Sequence, residues 1–299
     1  MAVVGPTASG KTAFAVSLAE RLRAELVSAD SRQVYGESRI GTNKPSAAEL
    51  RGIRCHLLDV VEPGSSFTVA DYCVLARAAI EEIAGRSMPA VLQGGTGLYI
   101  RALLQGWDFA NSPPDAQLRE RLEERLEREG IEKLMAELAR VDPEAARRTQ
   151  GNPRRLVRAL EIHTVSGEAP SRVRGAKPPP WRTLILGLKV PLAELDSRIA
   201  LRVDAMLEAG WLDEVAGLLA RHPDADLRRL GHGYPELAAV LQGRLTLDEA
   251  RSRTVRQVRQ YARRQLTWFR AEKDVHWIEP RVEAAEPLLR EAMMGQEAI

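Results

Sequence analysis

Cysteine is scarce in this sequence: Cys55 and Cys73 are the only two in 299 residues, with no CxxC pair and no histidine ladder beside either. That pattern excludes a disulfide framework and a zinc site of the usual ligand spacing, and it fits a reducing compartment. Long apolar runs are missing as well. No stretch approaches the ~20 residues a bilayer-spanning helix needs. The opening MAVVGPTASGKT runs straight into a motif with no room for a signal peptide, so a cytoplasmic protein with no membrane partner is expected. An excess of one charge is also absent, since 43 Lys and Arg stand against 41 Asp and Glu. Global charge therefore says nothing about nucleic acid, and such a partner must show itself as local clustering. There is no internal repeat. The length allows one large core or two modest ones, and a monomer is the default expectation.

Short apolar runs alternate with helical patterns through the first half, as in a parallel α/β sheet. Ala2–Val4, Glu25–Ala29, Leu57–Val61 and Pro89–Gln93 read as strands, and helices are expected over Thr12–Leu22 and Val69–Ala84. The character changes at Asn111, where SPPD marks a break and Arg119–Gly130 reads as a charge-laced helix with leucines four apart. Helical patterns continue to Gly167, and GAKPPPW closes the stretch as a linker. No strand is convincing between residues 111 and 177; Thr183–Val190 then returns to the sheet, and the remainder reads as helical. The expected architecture is a P-loop parallel α/β core with helices on both faces, built from 1–110 and 178–299, with an all-helical insertion over 111–177.

Gly5-Pro6-Thr7-Ala8-Ser9-Gly10-Lys11-Thr12 fits G-x-x-x-x-G-K-[ST] after a strand and before a helix, the context that gives the motif its meaning. Successive backbone N–H groups of such a loop form a concave anion site, reinforced by the following helix dipole. Lys11 adds a mobile positive charge, and the Thr12 hydroxyl is placed to ligate Mg²⁺. A P-loop says only that a phosphate chain binds. Asp30, at the end of the second strand, should face that site, because strand C-termini line the ligand crevice of a parallel sheet; its bland alternative is a helix N-cap. Asp59, in LLDV, is the nearest match to a hydrolytic Mg²⁺-binding Asp.

Gly243–Lys273 holds eight Arg and one Lys against three acids, and Arg256, Arg259 and Arg263 recur at helical spacing. A solvated helix is the usual meaning of a charge run, but here acids do not alternate with the arginines, so RNA contact is favoured. Tyr261, Trp268 and Phe269 follow the apolar face and read as core. His56 and His163 read as structural.

With these motifs in hand, the sequence resembles the tRNA dimethylallyltransferase family, also called isopentenyl-tRNA transferases. The resemblance rests on GPTASGKT at 5–12, DSRQVY at 30–35, GTNKP at 41–45, HLLD at 56–59, GGTGLY at 94–99, NPRRLVRALEI at 152–162 and RQYARRQLTWFR at 259–270. These occur in the family's order and cover most of the chain. The resemblance implies that Gly5, Thr7, Ala8, Ser9, Gly10, Lys11 and Thr12 hold the diphosphate of dimethylallyl diphosphate, with Thr12 on Mg²⁺. It implies that Asp30 accepts a proton from the exocyclic amine of a flipped-out adenine in the tRNA anticodon stem-loop, expected at position 37. Ser31, Arg32, Gln33 and Thr96 would face that RNA, as would Arg119, Arg154, Arg155 and Arg158 of the insertion. The sequence departs from the family at Gly231-His232 and at Val258. Arg229 is then the residue expected in the place of the family's diphosphate-binding side chain.

Rival readings are a P-loop small-molecule or nucleoside monophosphate kinase, a nucleotide-gated RNA-binding module, and an adenylate prenyltransferase. A kinase leaves the basic C-terminal segment without a task. The arginine-bearing insertion argues for polymeric RNA over free adenylate.

Overall fold

The computed structural model describes residues 1–107, 109, 115–173 and 176–294. In chain order its elements begin with β1 (Ala2–Val4), α1 (Lys11–Leu22), β2 (Glu25–Ser28), α2 (Ala47–Leu50), β3 (Cys55–His56), α3 (Val69–Gly85), β4 (Ala90–Gly94) and α4 (Gly97–Leu104). Five helices follow: α5 (Ala116–Glu129), α6 (Ile131–Val141), α7 (Pro143–Thr149), α8 (Pro153–Ser166) and α9 (Pro170–Val173). Then come β5 (Ile185–Leu188), α10 (Leu192–Glu208), α11 (Trp211–Arg221), α12 (Tyr234–Leu241), α13 (Leu247–Arg270), β6 (Val275–Ile278) and α14 (Glu286–Met294). Among the described residues no helix is long and apolar enough to cross a membrane.

The six strands form one parallel sheet in the order β3-β2-β4-β1-β5-β6. Ala2, Val3 and Val4 have no exposed surface, as befits a central strand covered on both faces. β1 pairs with β4 on one side and β5 on the other, putting Val4 opposite Gly94 and Gly187. The chain leaves β1 toward β2 on one side of the sheet and later returns to β5 on the other. The loop after β1 therefore opens at a switch point of the topology, where parallel sheets bind ligands.

Two strand expectations are corrected. Pairing beside β2 falls at Cys55–His56, ahead of the expected 57–61. Leu57 and Asp59 have φ of 65° and 55°, left-handed values that a strand does not accommodate, and only Val61 rejoins as an isolated bridge to Tyr35. The segment after residue 190 is not wholly helical, because β6 adds an edge strand beside β5.

Two compact units emerge: Met1–Leu103 with Trp181–Ile299, and Leu104–Pro180. In the first, Phe14, Leu18, Leu26, Val91 and Leu188 pack around α1 and the sheet, and Trp211, Val215, Leu218, Leu230 and Tyr234 form a second core. In the second, Leu122, Leu134, Leu138, Leu156 and Leu160 bring α5, α6 and α8 together. The break expected at Asn111–Pro114 lies outside the described residues. Asn152 caps α8 by accepting from the Arg155 N–H, Pro153 fits its first turn, and Gly167 ends it at φ 71°. Among the described residues of this unit, extended pairing is limited to a bridge between Trp107 and Ala176, where the Lys177 N–H donates to the Gly106 carbonyl at 2.8 Å.

Candidate active site

The loop between β1 and α1 turns on three left-handed residues, Gly5 (φ 146°), Ala8 (63°) and Gly10 (85°). No side chain caps α1, whose N-cap is Gly10. Its first N–H groups and the positive end of its dipole are thus offered to an anion. Lys11 is half-buried at the head of α1, and its Nζ donates to the Pro6 carbonyl at 2.6 Å. Burial pushes the Lys11 ammonium down to about 7; Asp30 pulls it back up and Arg202 adds to the depression.

A cavity of about 370 Å³ opens above this loop. Thr7, Ala8, Gly10, Lys11 and Thr12 line one side, and Asp30, Arg32 and Gln33 line another. The cavity brings together the P-loop and the carboxylate expected from the sequence. Asp30 is half-buried just beyond β2, and its Oδ1 accepts from the Arg32 N–H at 2.9 Å, a turn contact with no helix to cap. Ser31 and Thr96 are not among the lining residues, but they are tied to the Asp30 segment beside them. Thr96 Oγ1 accepts from the Ser31 N–H at 2.9 Å, and the Thr96 N–H donates to the Ala29 carbonyl at 3.1 Å. Gln33 Nε2 donates to the Asn43 carbonyl at 3.0 Å, which ties the Asp30 segment to the loop 41–43. That loop is held from beneath by Glu214, whose carboxylate accepts from the N–H groups of Arg39 and Ile40, both at 2.7 Å, and from the Tyr234 hydroxyl at 2.7 Å.

Other expected residues are placed elsewhere. Arg229 is not brought to the P-loop; its guanidinium donates to the Ser65 carbonyl at 3.2 Å. The arginines beside the P-loop are Arg198 and Arg202, the second donating to Thr7 Oγ1 at 2.6 Å. They sit on α10 in a helix that reads as ordinary amphipathic surface, so no motif marks them. Asp59 pairs with Lys44 and Arg39. Arg119 and Arg158 both hold the fully buried Glu161, at 2.9 and 2.8 Å. Arg155 reaches Gln150 Oε1 at 3.4 Å, and Arg154 is exposed. On α13, Arg256 is exposed, while Arg259 and Arg263 reach the Asp196 carbonyl and carboxylate at 3.1 and 2.7 Å. The acids missing between those arginines are supplied by α10.

Helix α13 also reaches the cavity. Phe269 is core, as its place in the apolar face suggests, but Tyr261 lines the cavity. Its hydroxyl is pushed up to about 12 by burial and by Asp30, against Arg32 and a hydrogen bond with Thr96. Gln265 is buried; its Oε1 accepts from the Thr7 N–H at 2.8 Å and its Nε2 donates to the Gly95 carbonyl at 2.9 Å. One amide thus staples the P-loop to the loop after β4. A glutamine inside a basic helix carries no sequence signal for that duty.

A family model described as IPP transferase matches residues 33–272. The tRNA dimethylallyltransferase of Thermomicrobium roseum is 45% identical over 282 residues, spanning 93% of this chain and 85% of that one. The full-length tRNA isopentenylpyrophosphate transferase of Bacillus halodurans is similar in structure at a TM-score of 0.69 and 39% identity, over 93% of this chain and 89% of the other. A eukaryotic dimethylallyltransferase acting on tRNA gives a TM-score of 0.81 at 26% identity, covering 93% of this chain and 73% of its own. With a family model matching most of its length and relatives of this identity spanning nearly all of it, the chain belongs to the IPP transferase family.

Proposed function

We propose that this chain transfers the dimethylallyl group of dimethylallyl diphosphate to N6 of an adenosine in tRNA, at position 37 of the anticodon stem-loop, and releases diphosphate. The observation that carries the reading is the single cavity in which the P-loop, with Lys11 and Thr12, faces Asp30. A phosphate cradle and a carboxylate sharing one cavity suit a reaction in which an anion leaves and a proton must be taken. The names of the relatives supply the acceptor.

The N6 lone pair attacks the allylic C1, the C1–O bond breaks with its electrons going to the diphosphate, and one N6 proton passes to Asp30. The P-loop amides and Lys11 stabilise the charge that develops on the leaving group. An allylic carbon tolerates positive character, so a weak amine nucleophile suffices once it is oriented and water is kept away. The adenine must leave its stack to reach the cavity. Asp30 orients N6 and takes its proton. Arg202, with its donor to Thr7, borders the diphosphate.

Mg²⁺ fits this donor set. Thr12 offers a hydroxyl at the head of α1, and among the described residues no group of three His, Cys, Asp or Glu forms a dedicated cage. Thr12 and the diphosphate oxygens would hold the ion, which adds charge neutralisation at the leaving group. Arg119, Arg154, Arg155 and Arg158 on the helical unit, and Arg256, Arg259 and Arg263 on α13, are proposed as RNA phosphate contacts. Ser31, Arg32, Gln33 and Thr96 are proposed to meet the extruded base and its neighbours. The enzyme is read as a cytoplasmic monomer.

The test incubates wild type and Asp30→Ala with Mg²⁺, labelled dimethylallyl diphosphate and unmodified tRNA, then separates the nucleosides after digestion. Label is expected in N6-dimethylallyladenosine, with the variant slower by about 10²- to 10⁴-fold, the usual worth of a positioned base. Passage of an ATP γ-phosphate to a small acceptor, with no label in RNA, would replace this reading with a kinase.

A further inference from the structure

His232 lies in the wall of the same cavity, between Gly231 (φ 134°) and Gly233 (φ 95°). Both flanking residues are in left-handed backbone, and Gly233 is seated on Trp211, where a Cβ would come within 2.1 Å of the ring. The imidazole packs against Tyr261 with ring centroids 5.5 Å apart. Its position is therefore fixed by the backbone beneath and by an aromatic neighbour that also lines the cavity.

The hydrogen bonds around His232 decide which ring nitrogen carries the proton. Glu236, as a carboxylate, only accepts. Its Oε2 takes the Gly233 N–H at 3.0 Å, and its Oε1 takes the amide Nε2 of Gln257 at 2.7 Å. Gln257 must then turn its Oε1 toward the histidine, 3.2 Å from Nδ1. An amide oxygen only accepts, so Nδ1 is the protonated nitrogen. Burial, with Arg32 adding to it, holds the ring below the ordinary histidine pKa and so favours the neutral form. Nε2 is left with its lone pair as an acceptor.

An uncharged acceptor discriminates between the two substrates of the proposed reaction. Dimethylallyl diphosphate at neutral pH presents oxygens that accept and an alkyl chain that does neither, so it has little to give such an atom. A nucleotide presents donors, namely exocyclic amines, ring N–H groups and the ribose 2′-hydroxyl. We propose that His232 is a specificity-determining contact for the RNA acceptor, its Nε2 receiving a hydrogen bond from a donor of the acceptor nucleotide or its neighbour, with Gln257 and Glu236 setting the tautomer. This rests on the RNA-prenylating reading of the site above.

The test has two arms, both on the full chain. In the first, a ¹⁵N-histidine spectrum is assigned among the five histidines by the signal lost in His232→Gln. It should show a protonated Nδ1 and an unprotonated Nε2, and Gln257→Leu should move the proton toward Nε2. In the second, affinities are measured separately for unmodified tRNA and for dimethylallyl diphosphate. His232→Phe should weaken tRNA binding by about five- to tenfold, the usual worth of one hydrogen bond, with the diphosphate affinity within twofold. Gln257→Leu should do the same while keeping the imidazole, and His232→Gln, whose amide oxygen reaches the place of Nε2, should restore most of the loss. A spectrum with Nε2 protonated, an unchanged tRNA affinity in His232→Phe, or an equal loss in His232→Gln would each overturn the proposal. Failure of the wild type to label RNA would sink the prenyl-transfer reading instead, and neither arm depends on that activity.

Discussion

Because burial depresses Lys11 to about 7, diphosphate binding must depend on pH in a particular direction. The bound anion replaces the solvent that the ammonium lost, so binding raises the Lys11 pKa. Affinity is then whole below pH 7 and falls as pH rises through 7 toward the bound value, because each binding event must supply the missing proton. The factor is one plus ten to the power of pH minus pKa. Relative to pH 6, the wild type should bind about tenfold more weakly at pH 8 and about 90-fold more weakly at pH 9, with the bound pKa well above 9. The ligand also ionises in this range, which works the other way. Lys11→Arg removes that complication, since a guanidinium stays charged throughout, and the ratio of the two dissociation constants isolates the lysine. Titration calorimetry with dimethylallyl diphosphate in two buffers of different ionisation enthalpy would read the affinity and the proton uptake together. A ratio that stays flat between pH 6 and 9 would refute the reasoning.

Gln265→Ala removes one buried and one part-buried hydrogen bond and frees the Thr7 N–H. It should cost about 2–3 kcal/mol of stability and loosen the P-loop, read by denaturant unfolding together with hydrogen exchange at residues 5–12. At Gly94 an added Cβ would meet the Ala29 carbonyl oxygen at 2.2 Å, whereas at Gly10 it would meet nothing within 4 Å. Gly94→Ala is therefore expected to cost about 3 kcal/mol, and Gly10→Ala only the left-handed penalty of about 1–2 kcal/mol; equal midpoint shifts would contradict the packing. Burial of Glu161 opposes its charge, yet hydrogen bonds from Arg158, Arg119 and the Asp115 backbone outweigh it and hold its pKa below 4.5. The stability it supplies is complete above that value and declines as pH falls through the lowered one, so Glu161→Ala should destabilise α5 and α8 by about 3–5 kcal/mol at pH 7 and progressively less as acid protonates the native carboxylate, measured by hydrogen exchange of their amides.

The parts of the fold and site that the sequence revealed are those where chemistry and chain order coincide. The P-loop strand, loop and helix are contiguous, so glycine, lysine and threonine spacing announces them. Asp30 is legible because a strand end in a parallel sheet has only one crevice to face. Cys55–His56 and Val275–Ile278 escaped because two- and four-residue strands leave little periodicity; Leu57 looks like strand by its type, but its left-handed backbone excludes it. Arg202 and Gln265 are invisible for another reason. Each lies 195 or 258 residues from the Thr7 it contacts, and only the return of β5 and the packing of α13 bring them there. Arg229 is adjacent to the cavity-lining Leu230 in sequence, but its side chain turns toward Ser65.

The pairing that closes the helical unit on itself, Gly106 with Lys177, bears on how the sheet is assembled. Before α5 to α9 fold, β4 and β5 are separated by a long flexible chain, and bringing strands together across it costs entropy that grows with the logarithm of its length. Once the unit has formed and its two ends are hydrogen-bonded, the same stretch behaves as a short connection. A locally folding bundle would thereby act as a clasp on the chain, and the β1–β5 pairing that completes the phosphate-binding crevice would come to depend, in rate, on a segment that contributes no strand to it.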